Sequence, residues 1–295
     1  MERQRESLEA LRFPEKVAIA TTTSYKNWPD DESDRIRGNL ALQSIDNALA
    51  RGFHVCIVDG GSSEAFHREL QQRKIVFENE RERGMSASRR QVFTLAENQP
   101  GAEVICWMEP EKLSLLTDDL FAQAAEPILR GDADVIVPAR TEESWQTYPT
   151  YQQDSEKRAN THLNGLLRTR GLLTSEEDDL DLFFGPRIYA NRPEVRELFH
   201  RQFAKKEKIT KSTLHKIVDP ERYSDATFFP IANALQKGLR VESVSIEYRH
   251  PPKQTAFEEG NSDLDRKRDA QRRTIVTEMI HLLRLQKEDP RSHLS

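Results

Sequence analysis

The chain has 295 residues, 32% of them charged and 36% hydrophobic, which allows a full α/β core beneath a highly charged surface. Its 44 basic and 49 acidic side chains give a formal charge of −5 with no long basic block, which argues against a nucleic-acid-binding protein. No apolar run reaches the roughly 20 residues of a membrane span, and the first residues lack the apolar core of a signal peptide, so we expect a cytoplasmic protein.

Strands and helices alternate through the first 140 residues. A charged helix is expected over residues 1–14. Apolar runs predict five strands, at Lys16–Thr21, Phe53–Val58, Lys74–Phe77, Val104–Trp107 and Ala133–Pro138. Amphipathic segments predict intervening helices, at Asp34–Arg51, up to about Arg73, at Ser86–Glu97 and at Leu116–Arg130. This alternation predicts a parallel sheet with right-handed crossovers, and ligands bind such sheets beyond the carboxyl ends of the strands.

The second half of the chain is less regular. Its expected elements are a helix at Gln152–Arg170, an apolar segment at Asp179–Tyr189, a basic surface run at Lys205–Lys216, a helix at Asp225–Lys237, a strand at Arg240–Tyr248 and a C-terminal helix after Ser262. No internal repeat or low-complexity linker separates the halves, so we expect one body. Cys56 and Cys106 fall inside predicted strands and are expected to be buried, reduced thiols.

The stretch Val104–Lys112 carries the strongest candidate site. Its apolar strand ends in two carboxylates, Glu109 and Glu111, on either side of Pro110, which cannot donate to a sheet ladder. Two hard oxygen ligands at the end of a sheet suit Mg²⁺ or Mn²⁺ held against a phosphorylated substrate. The alternative is a solvated strand end, which is the commoner case for an isolated motif of this kind.

Further polar groups follow the first two strands. Thr21 and Thr23 belong to a hydroxyl-rich loop, and Asp59 begins an acid–glycine turn. An aspartate at this place can accept a hydrogen bond from a nucleoside base or ribose. Alternatively, the segment is an ordinary turn in which Ser62 or Ser63 caps the next helix.

Three other positions are candidates for contacts with a substrate. Gly84, Arg89 and Arg90 lie at a helix start and suit a diphosphate. Asp225 is either a helix cap or a general base directed at an acceptor hydroxyl. His250 follows the last strand and is a candidate metal ligand or diphosphate contact, although a single histidine at a strand end is usually neither.

Several enzyme classes are disfavoured by missing motifs. No GxGxxG follows the first strand, and no GxxxxGK[ST] loop occurs, which argues against Rossmann and P-loop nucleotide sites. No G-x-S-x-G elbow is present, which argues against a serine hydrolase of that type.

Over residues 16–250, the order and spacing of these motifs resemble GT-A glycosyltransferases, most closely the family 2-like nucleotide-sugar transferases. The segments that carry the resemblance are IATTTSY, VDGGSS, RGMSASRRQVFTLA, CWMEPEK, ADVIVPAR and YSDATFFPIANALQKGLRVESVSIEY. Two departures stand out. An E-x-E motif replaces the D-x-D metal motif, and Ser224-Asp225 replaces the Glu-Asp pair whose second acid is the catalytic base.

The resemblance implies a GT-A-like α/β fold with a mainly parallel sheet flanked by helices. It implies one domain over residues 1–260, with a nucleotide-binding half at 1–140 and an acceptor-binding half at 141–260, and a C-terminal helix at 261–295 packed on it. The implied reaction transfers a sugar from a nucleotide-diphosphate donor to a hydroxyl acceptor, with a divalent metal ion and with inversion.

The resemblance also assigns roles to residues. The donor would be bound by Thr21, Thr23, Asp59, Gly84, Arg89 and Arg90, and Mg²⁺ or Mn²⁺ would be held by Glu109, Glu111 and His250. Asp225 would deprotonate an acceptor lying between Gly185–Arg187 and the face of Glu156 and Asn160. Two alternatives stay open. One is a non-catalytic binding or scaffolding protein on the same fold. The other is a sugar-phosphate nucleotidyltransferase, whose G-x-G-T-R-x-x-P loop is missing from TTTSYKNWP.

Overall fold

The computed structural model describes residues 13–117, 120–203 and 223–288. Within them, strands β1 to β7 span Val17–Thr23, His54–Asp59, Val76–Asn79, Val104–Trp107, Val135–Arg140, Arg187–Ala190 and Val241–Ile246. Helices α1 to α11 span Glu32–Ala50, Glu64–Gln71, Met85–Glu97, Ser114–Thr117, Leu120–Leu129, Glu142–Trp145, Thr150–Thr169, Pro193–His200, Phe229–Gln236, Pro252–Glu258 and Ser262–Glu288. A 3₁₀ turn at Phe13–Lys16 precedes β1. The basic run at Lys205–Lys216 and all but the last two residues of the helix expected at 1–14 lie outside the described residues.

The seven strands form one sheet in the order β3-β2-β1-β4-β6-β5-β7. All neighbouring pairs are parallel except those of β6, which runs antiparallel to both β4 and β5. The predicted α/β class with a mainly parallel sheet is confirmed. Among the described helices, none combines the length and apolar character needed to cross a membrane.

Strand β1 lies inside the sheet, between β2 and β4, and its residues are buried with one partial exception. This position explains the unbroken apolar run of its sequence, because helices cover both faces of such a strand. The strand continues to Thr23, so Thr21 and Thr23 are strand residues and the loop predicted for them begins later. Cys56 on β2 and Cys106 on β4 are fully buried and free, as predicted.

Two predicted segments differ from the observed elements. The single helix expected at Leu116–Arg130 is two helices, α4 and α5. The helix expected from Asp225 begins instead at Phe229, because the carbonyl of Ser224 accepts the amides of Phe228 and Phe229 in a preceding turn. Asp225 therefore does not cap that helix.

The apolar segment predicted at Asp179–Tyr189 is a strand only from Arg187 onward. The side chain of Arg187 is fully buried, and its guanidinium donates to the carbonyls of Leu182, Pro186 and Thr227. These bonds hold the irregular backbone before β6, which otherwise would carry unpaired buried carbonyl groups.

A buried ionic cluster joins the carboxyl end of β5 to helices α7 and α11. Arg140, at the end of β5, donates to both oxygens of Asp181 at 2.7 and 2.8 Å and to Glu156 of α7 at 2.7 Å. Glu156 also accepts from Arg272 of α11 at 2.8 Å, and Asn160 donates to Asp181 at 2.7 Å. The polar face of Glu156 and Asn160, predicted to meet an acceptor, is thus buried against the chain itself, which corrects that expectation.

Replacing Arg140 tests the weight of this cluster. Arg140→Met leaves the carboxylates of Asp181 and Glu156 buried without their main cation, and removing one partner of a buried ion pair costs about 3–5 kcal/mol. Urea unfolding should show a strongly lowered midpoint. Arg130→Met is the matched control, because Arg130 pairs with Glu126 and Asp132 at an exposed site, and its midpoint should match the wild type. Equal midpoints for the two variants would contradict a stabilising role for the cluster.

Candidate active site

The antiparallel direction of β6 brings its first residues to the same edge of the sheet as the carboxyl ends of β1, β2, β4, β5 and β7. Glu109 follows β4, Asp59 ends β2 and Arg140 ends β5, while Gly185 lies just before β6. These residues come from distant parts of the chain and meet at one edge. It is the edge at which sheets of this class bind ligands.

Glu109 lies at the centre of this edge. Its side chain is 39% exposed, but one carboxylate oxygen, Oε2, is buried and has no hydrogen-bond partner in the described part of the chain. The carboxylate packs against Gly185, whose φ of +106° favours glycine and where a Cβ atom would collide with both carboxylate oxygens. The carboxylate is thus partly exposed, and its unpartnered oxygen is the buried one, against Gly185.

Three cationic side chains surround Glu109. Its carboxylate interacts electrostatically with Arg89 and Arg187, and the ammonium of Lys112 lies 3.9 Å from Oε2. Burial lowers the pKa of Arg89 and that of Arg187 to about 10, and the charge of Glu109 opposes this effect. Both arginines stay protonated at neutral pH, so the surroundings of Glu109 carry an excess of positive charge.

Lys112 is held by aromatic rings. Its ammonium lies 4.6 Å from the ring centre of Phe184, 5.2 Å from that of Tyr248 and 6.0 Å from that of Tyr148. These separations are within the range of cation–π attraction. The rings therefore fix the ammonium beside Glu109.

Glu111, the second carboxylate of the E-x-E motif, has different partners. It is buried, and its Oε1 accepts from the hydroxyl of Tyr25 at 2.9 Å and pairs with Arg37 at 2.6 Å. The charge of Glu111 raises the pKa of Arg37 well above its ordinary value. Glu111, in the segment after β4, thus joins that segment to Tyr25 after β1 and to Arg37 on helix α1. Glu109 faces Gly185 and Lys112 instead.

His250 is also held by the chain itself. Its backbone N–H donates to Thr147 at 2.9 Å, its Nδ1 pairs with the hydroxyl of Thr255 at 2.8 Å, and its ring lies 4.4 Å from that of Tyr148. Burial, together with a smaller effect of nearby cations, Lys112 foremost, lowers the pKa of His250 to about 2. The imidazole is therefore neutral at every working pH.

The fit of a divalent metal ion depends on Glu109. Among the described residues, no three His, Cys, Asp or Glu side chains form a cluster that would hold an ion, so Glu109, Glu111 and His250 do not come together as predicted. Mg²⁺ is usually bound by one or two carboxylates together with substrate phosphates and water. The partly exposed carboxylate of Glu109 fits such a site, with the remaining ligands supplied by substrate.

Asp59 makes its hydrogen bonds with the end of β1, with its own loop and with helix α2. Its carboxylate accepts from Thr23 at 2.6 Å, from the amides of Gly61 and Ser62 at 2.9 and 2.7 Å, and pairs with His67 at 2.7 Å. Ser63 caps helix α2 by accepting the amide of Phe66, as the alternative interpretation of this turn expected. Thr21 donates to the carbonyl of Met108 at 2.9 Å, which ties β1 to the segment that carries Glu109.

The glycine–arginine segment lies at the start of helix α3. Gly84 precedes the helix with φ of +138°. The guanidinium of Arg89 lies 5.0 Å from the ring of Trp107, and its Nη1 donates to the carbonyl of Tyr223 and the hydroxyl of Thr227, both at 3.3 Å. The Nε of Arg89 is buried and has no hydrogen-bond partner among the described residues.

Asp225, the predicted base, is completely buried. Its Oδ1 accepts the amide of Phe203 at 3.0 Å, and its Oδ2 lies 3.6 Å from Nη1 of Arg90. Arg90 is therefore directed at Asp225. The hydroxyl of the preceding Ser224 donates to Glu278 on α11.

Lys112 and the rings around it were not among the residues predicted for the site. Lys112 stands three residues after Glu109, and its charge was a visible signal. No local signal marks Phe184, Tyr148 and Tyr248 as neighbours, because they come from three separate segments that only the folded sheet brings together.

The model of the family described as glycosyl transferase family 2 matches residues 37–189, which is more than half of the chain. The chain belongs to glycosyl transferase family 2. The resemblance inferred from its motifs is therefore confirmed, and the family consists of glycosyltransferases. No curated protein sequence matches the chain at a significant level.

Solved structures share the fold of this family 2 chain. Glucosyl-3-phosphoglycerate synthase from Mycobacterium tuberculosis, in complex with Mn²⁺, UDP and glucosyl-3-phosphoglycerate, has a TM-score of 0.57 at 11% identity, over 94% of this chain and 83% of that one. Its complex with Mn²⁺, UDP-glucose and phosphoglyceric acid gives the same values. Its complex with Mg²⁺ and UDP has a TM-score of 0.52 at 12% identity, over 97% of this chain and 84% of that one. The GT-A-like fold is confirmed.

The bonds to Asp59 predict a pH dependence of stability. Burial raises the pKa of Asp59, but hydrogen bonds from Ser62, Thr23 and His67 outweigh it and hold the pKa below the ordinary value. Ionised Asp59 thus stabilises the fold above the ordinary aspartate pKa of about 4, and this contribution is lost as the pH falls through the folded value. In urea unfolding from pH 7 to pH 3, the free-energy difference between wild type and Asp59→Asn should shrink at the acid end.

The control is Asp46→Asn, because Asp46 is an exposed partner of Arg73. Its free energy of unfolding shows the effect of losing an aspartate that is not buried. A difference between wild type and Asp59→Asn that stays constant over the whole pH range would contradict the interpretation.

Proposed function

We propose that this chain transfers a sugar from a nucleotide-diphosphate donor to an acceptor hydroxyl, with Mg²⁺ or Mn²⁺ bound at Glu109. The observation that carries this proposal is the carboxylate of Glu109 at the carboxyl edge of a family 2 sheet, with one oxygen unpartnered. The cations around it suit the diphosphate of the donor. The similar synthase structures, which contain UDP or UDP-glucose with Mn²⁺ or Mg²⁺, support this choice of donor and ion.

The side chains around Glu109 suit the departure of a diphosphate. The bound ion would neutralise charge that develops on the leaving group. Arg89 and Lys112 add fixed positive charge in a partly buried environment, where electrostatic stabilisation is stronger than in water. Glu109, in turn, keeps these cations from repelling one another before the donor binds.

The nucleotide end of the donor would lie over the ends of β1 and β2, in the half of the domain at residues 1–140. Thr21, Thr23, Asp59 and Gly84 then act mainly by shaping this edge, since the hydroxyls and carboxylate already bond within the chain. The acceptor would be bound by residues of the second half, 141–260. Phosphoglyceric acid is the first acceptor to test, because similar structures contain it.

We further propose an inverting reaction in which Asp225 is the general base. In this structure its carboxylate is buried against Arg90 and the amide of Phe203, so the role requires Asp225 to become reachable when substrates bind. The cytoplasmic location also stays a prediction.

A second candidate is a nucleotide-binding protein without transferase activity. It is favoured by the engagement of Glu111 with Tyr25 and Arg37 and by the burial of Asp225. This candidate and the transferase share donor binding and differ in turnover.

Donor binding is tested by thermal unfolding with UDP and Mn²⁺. A ligand that binds only the folded state at 100 times its Kd adds about 2.7 kcal/mol, which for a domain of this size raises Tm by about 5 °C. We expect this rise for the wild type, only when both ligands are present, and its loss in Glu109→Gln. The control Glu103→Gln, at a surface pair with Lys16, should keep the full rise.

Glu111→Gln separates the two carboxylates of the motif. Because Glu111 pairs with Arg37 and Tyr25, its loss should lower Tm without ligand while leaving the added rise with UDP and Mn²⁺. If Glu111→Gln abolished the rise and Glu109→Gln preserved it, the assignment of the ion to Glu109 would be wrong.

Turnover is tested with Asp225→Asn, which keeps the shape of the side chain and removes its charge. If Asp225 is the base, transfer from UDP-glucose should fall by about 100-fold or more while UDP binding is unchanged. The assay measures release of UDP with phosphoglyceric acid as acceptor. The control for loss of a buried aspartate is Asp134→Asn, since the carboxylate of Asp134 pairs with Arg192 and Arg240. Equal rates for wild type and Asp225→Asn would exclude the base assignment.

A further inference from the structure

The ammonium of Lys112 is held at the candidate site without a direct hydrogen bond to a described residue. Its side chain is 12% exposed, and its three N–H donors have no hydrogen-bond acceptor among the described residues. Glu109, the nearest carboxylate, is 3.9 Å away, beyond hydrogen-bond distance. A largely buried ammonium normally has such partners, because its desolvation is costly.

The neighbouring Arg140 shows how the chain treats a cation that serves structure alone. Arg140 also lies against the rings of Tyr148 and Phe184, at 4.8 and 5.1 Å from the ring centres, so it shares the aromatic surroundings of Lys112. Its guanidinium, however, bonds directly to the carboxylates of Asp181 and Glu156. Within one aromatic cluster, one cation bonds directly to carboxylates and the other does not.

The charges near Lys112 extend this imbalance. The guanidinium of Arg187 donates its hydrogen bonds to backbone carbonyls. The Nε of Arg89 is buried and has no hydrogen-bond partner among the described residues. Glu109 is the one carboxylate that acts on Arg89, Arg187 and Lys112 alike. Asp181 also acts on Arg187, and Glu156 on Lys112, but both carboxylates are already bonded to Arg140. Glu109 is then the one carboxylate left for three cations, which leaves room for a further negative charge.

We propose that Lys112 donates to an oxyanion of a bound substrate, of the phosphate or carboxylate kind. The aromatic rings hold the ammonium in place, and Glu109 stands too far away to use its donors. The oxyanion has two possible sources, the diphosphate of the donor and an anionic group of the acceptor. The first source rests on the proposed transferase function, whereas oxyanion binding by Lys112 does not.

The competing explanation is that Lys112 only fills space among the rings. Lys112→Met distinguishes the two, because methionine keeps an unbranched side chain of similar length and removes the charge. If the ammonium contributes to packing alone, its loss removes cation–π attraction and lowers Tm. If it serves a ligand, ligand affinity falls as well, whereas a packing role alone leaves ligand affinity unchanged.

The experiment measures Kd by calorimetry for UDP, inorganic pyrophosphate and phosphoglyceric acid, each in the presence of Mg²⁺. The variants are Lys112→Met, Lys112→Arg and, as control, Lys157→Met, a lysine that lies 5.3 Å from the ring of Trp145 but pairs with Glu142 at the surface. We expect Lys112→Met to weaken at least one probe by about 10- to 100-fold, the loss of one hydrogen bond to a charged group. Lys112→Arg should recover part of this loss, and Lys157→Met should bind as the wild type does.

The pattern of losses identifies the source of the oxyanion. Weaker binding of UDP and pyrophosphate assigns Lys112 to the donor diphosphate, and weaker binding of phosphoglyceric acid alone assigns it to the acceptor. If the wild type binds pyrophosphate but not UDP, and Lys112→Met no longer binds pyrophosphate, oxyanion binding by Lys112 holds while the proposed transferase function fails. If the wild type binds UDP and Lys112→Met binds every probe within twofold of it, the inference is overturned and the transferase proposal stands. A wild type that binds none of the probes overturns both.

Discussion

The carboxylate of Glu109 lies against Gly185 and interacts with three cations, Arg89, Arg187 and Lys112. These cations come from helix α3, the start of β6 and the loop after β4, so one negative charge joins three separate segments. Without it, three positive charges would repel one another in a partly buried space, where such repulsion is strong. The same carboxylate is partly exposed and keeps one oxygen unpartnered, and this carboxylate is what the proposed site offers to a metal ion.

The charged groups of the sheet edge fall into two sets. In one set, around Arg140, every charge meets an opposite charge at hydrogen-bond distance, and the set joins β5 to helices α7 and α11. In the other set, around Glu109, positive charge is in excess and donors are unused. The first arrangement serves stability, and the second is typical of a site completed by an anionic ligand. The two sets touch at the rings of Tyr148 and Phe184.

Much of the fold could be predicted from the sequence, because strands of a parallel sheet that are covered on both faces appear as unbroken apolar runs. The placement of Glu109 followed from the end of the apolar run of β4 and from the rule that ligands meet the carboxyl edge. The partners of Glu111 could not be predicted, since Tyr25 is 86 positions away and its contact depends on how the segment after β1 folds back. The surroundings of Asp225 likewise could not be predicted, since its carboxylate accepts a hydrogen bond from the amide of Phe203, a residue distant in the sequence.

The position of the metal ion tests the account most directly. In crystals grown with UDP and Mn²⁺, the anomalous signal of manganese locates the ion without reference to any assumed ligand. The account predicts a peak about 2.2 Å from a carboxylate oxygen of Glu109, with the diphosphate of UDP on its other side. A peak bonded to Glu111 or His250 but not to Glu109, or bound UDP with no manganese near Glu109, would contradict it.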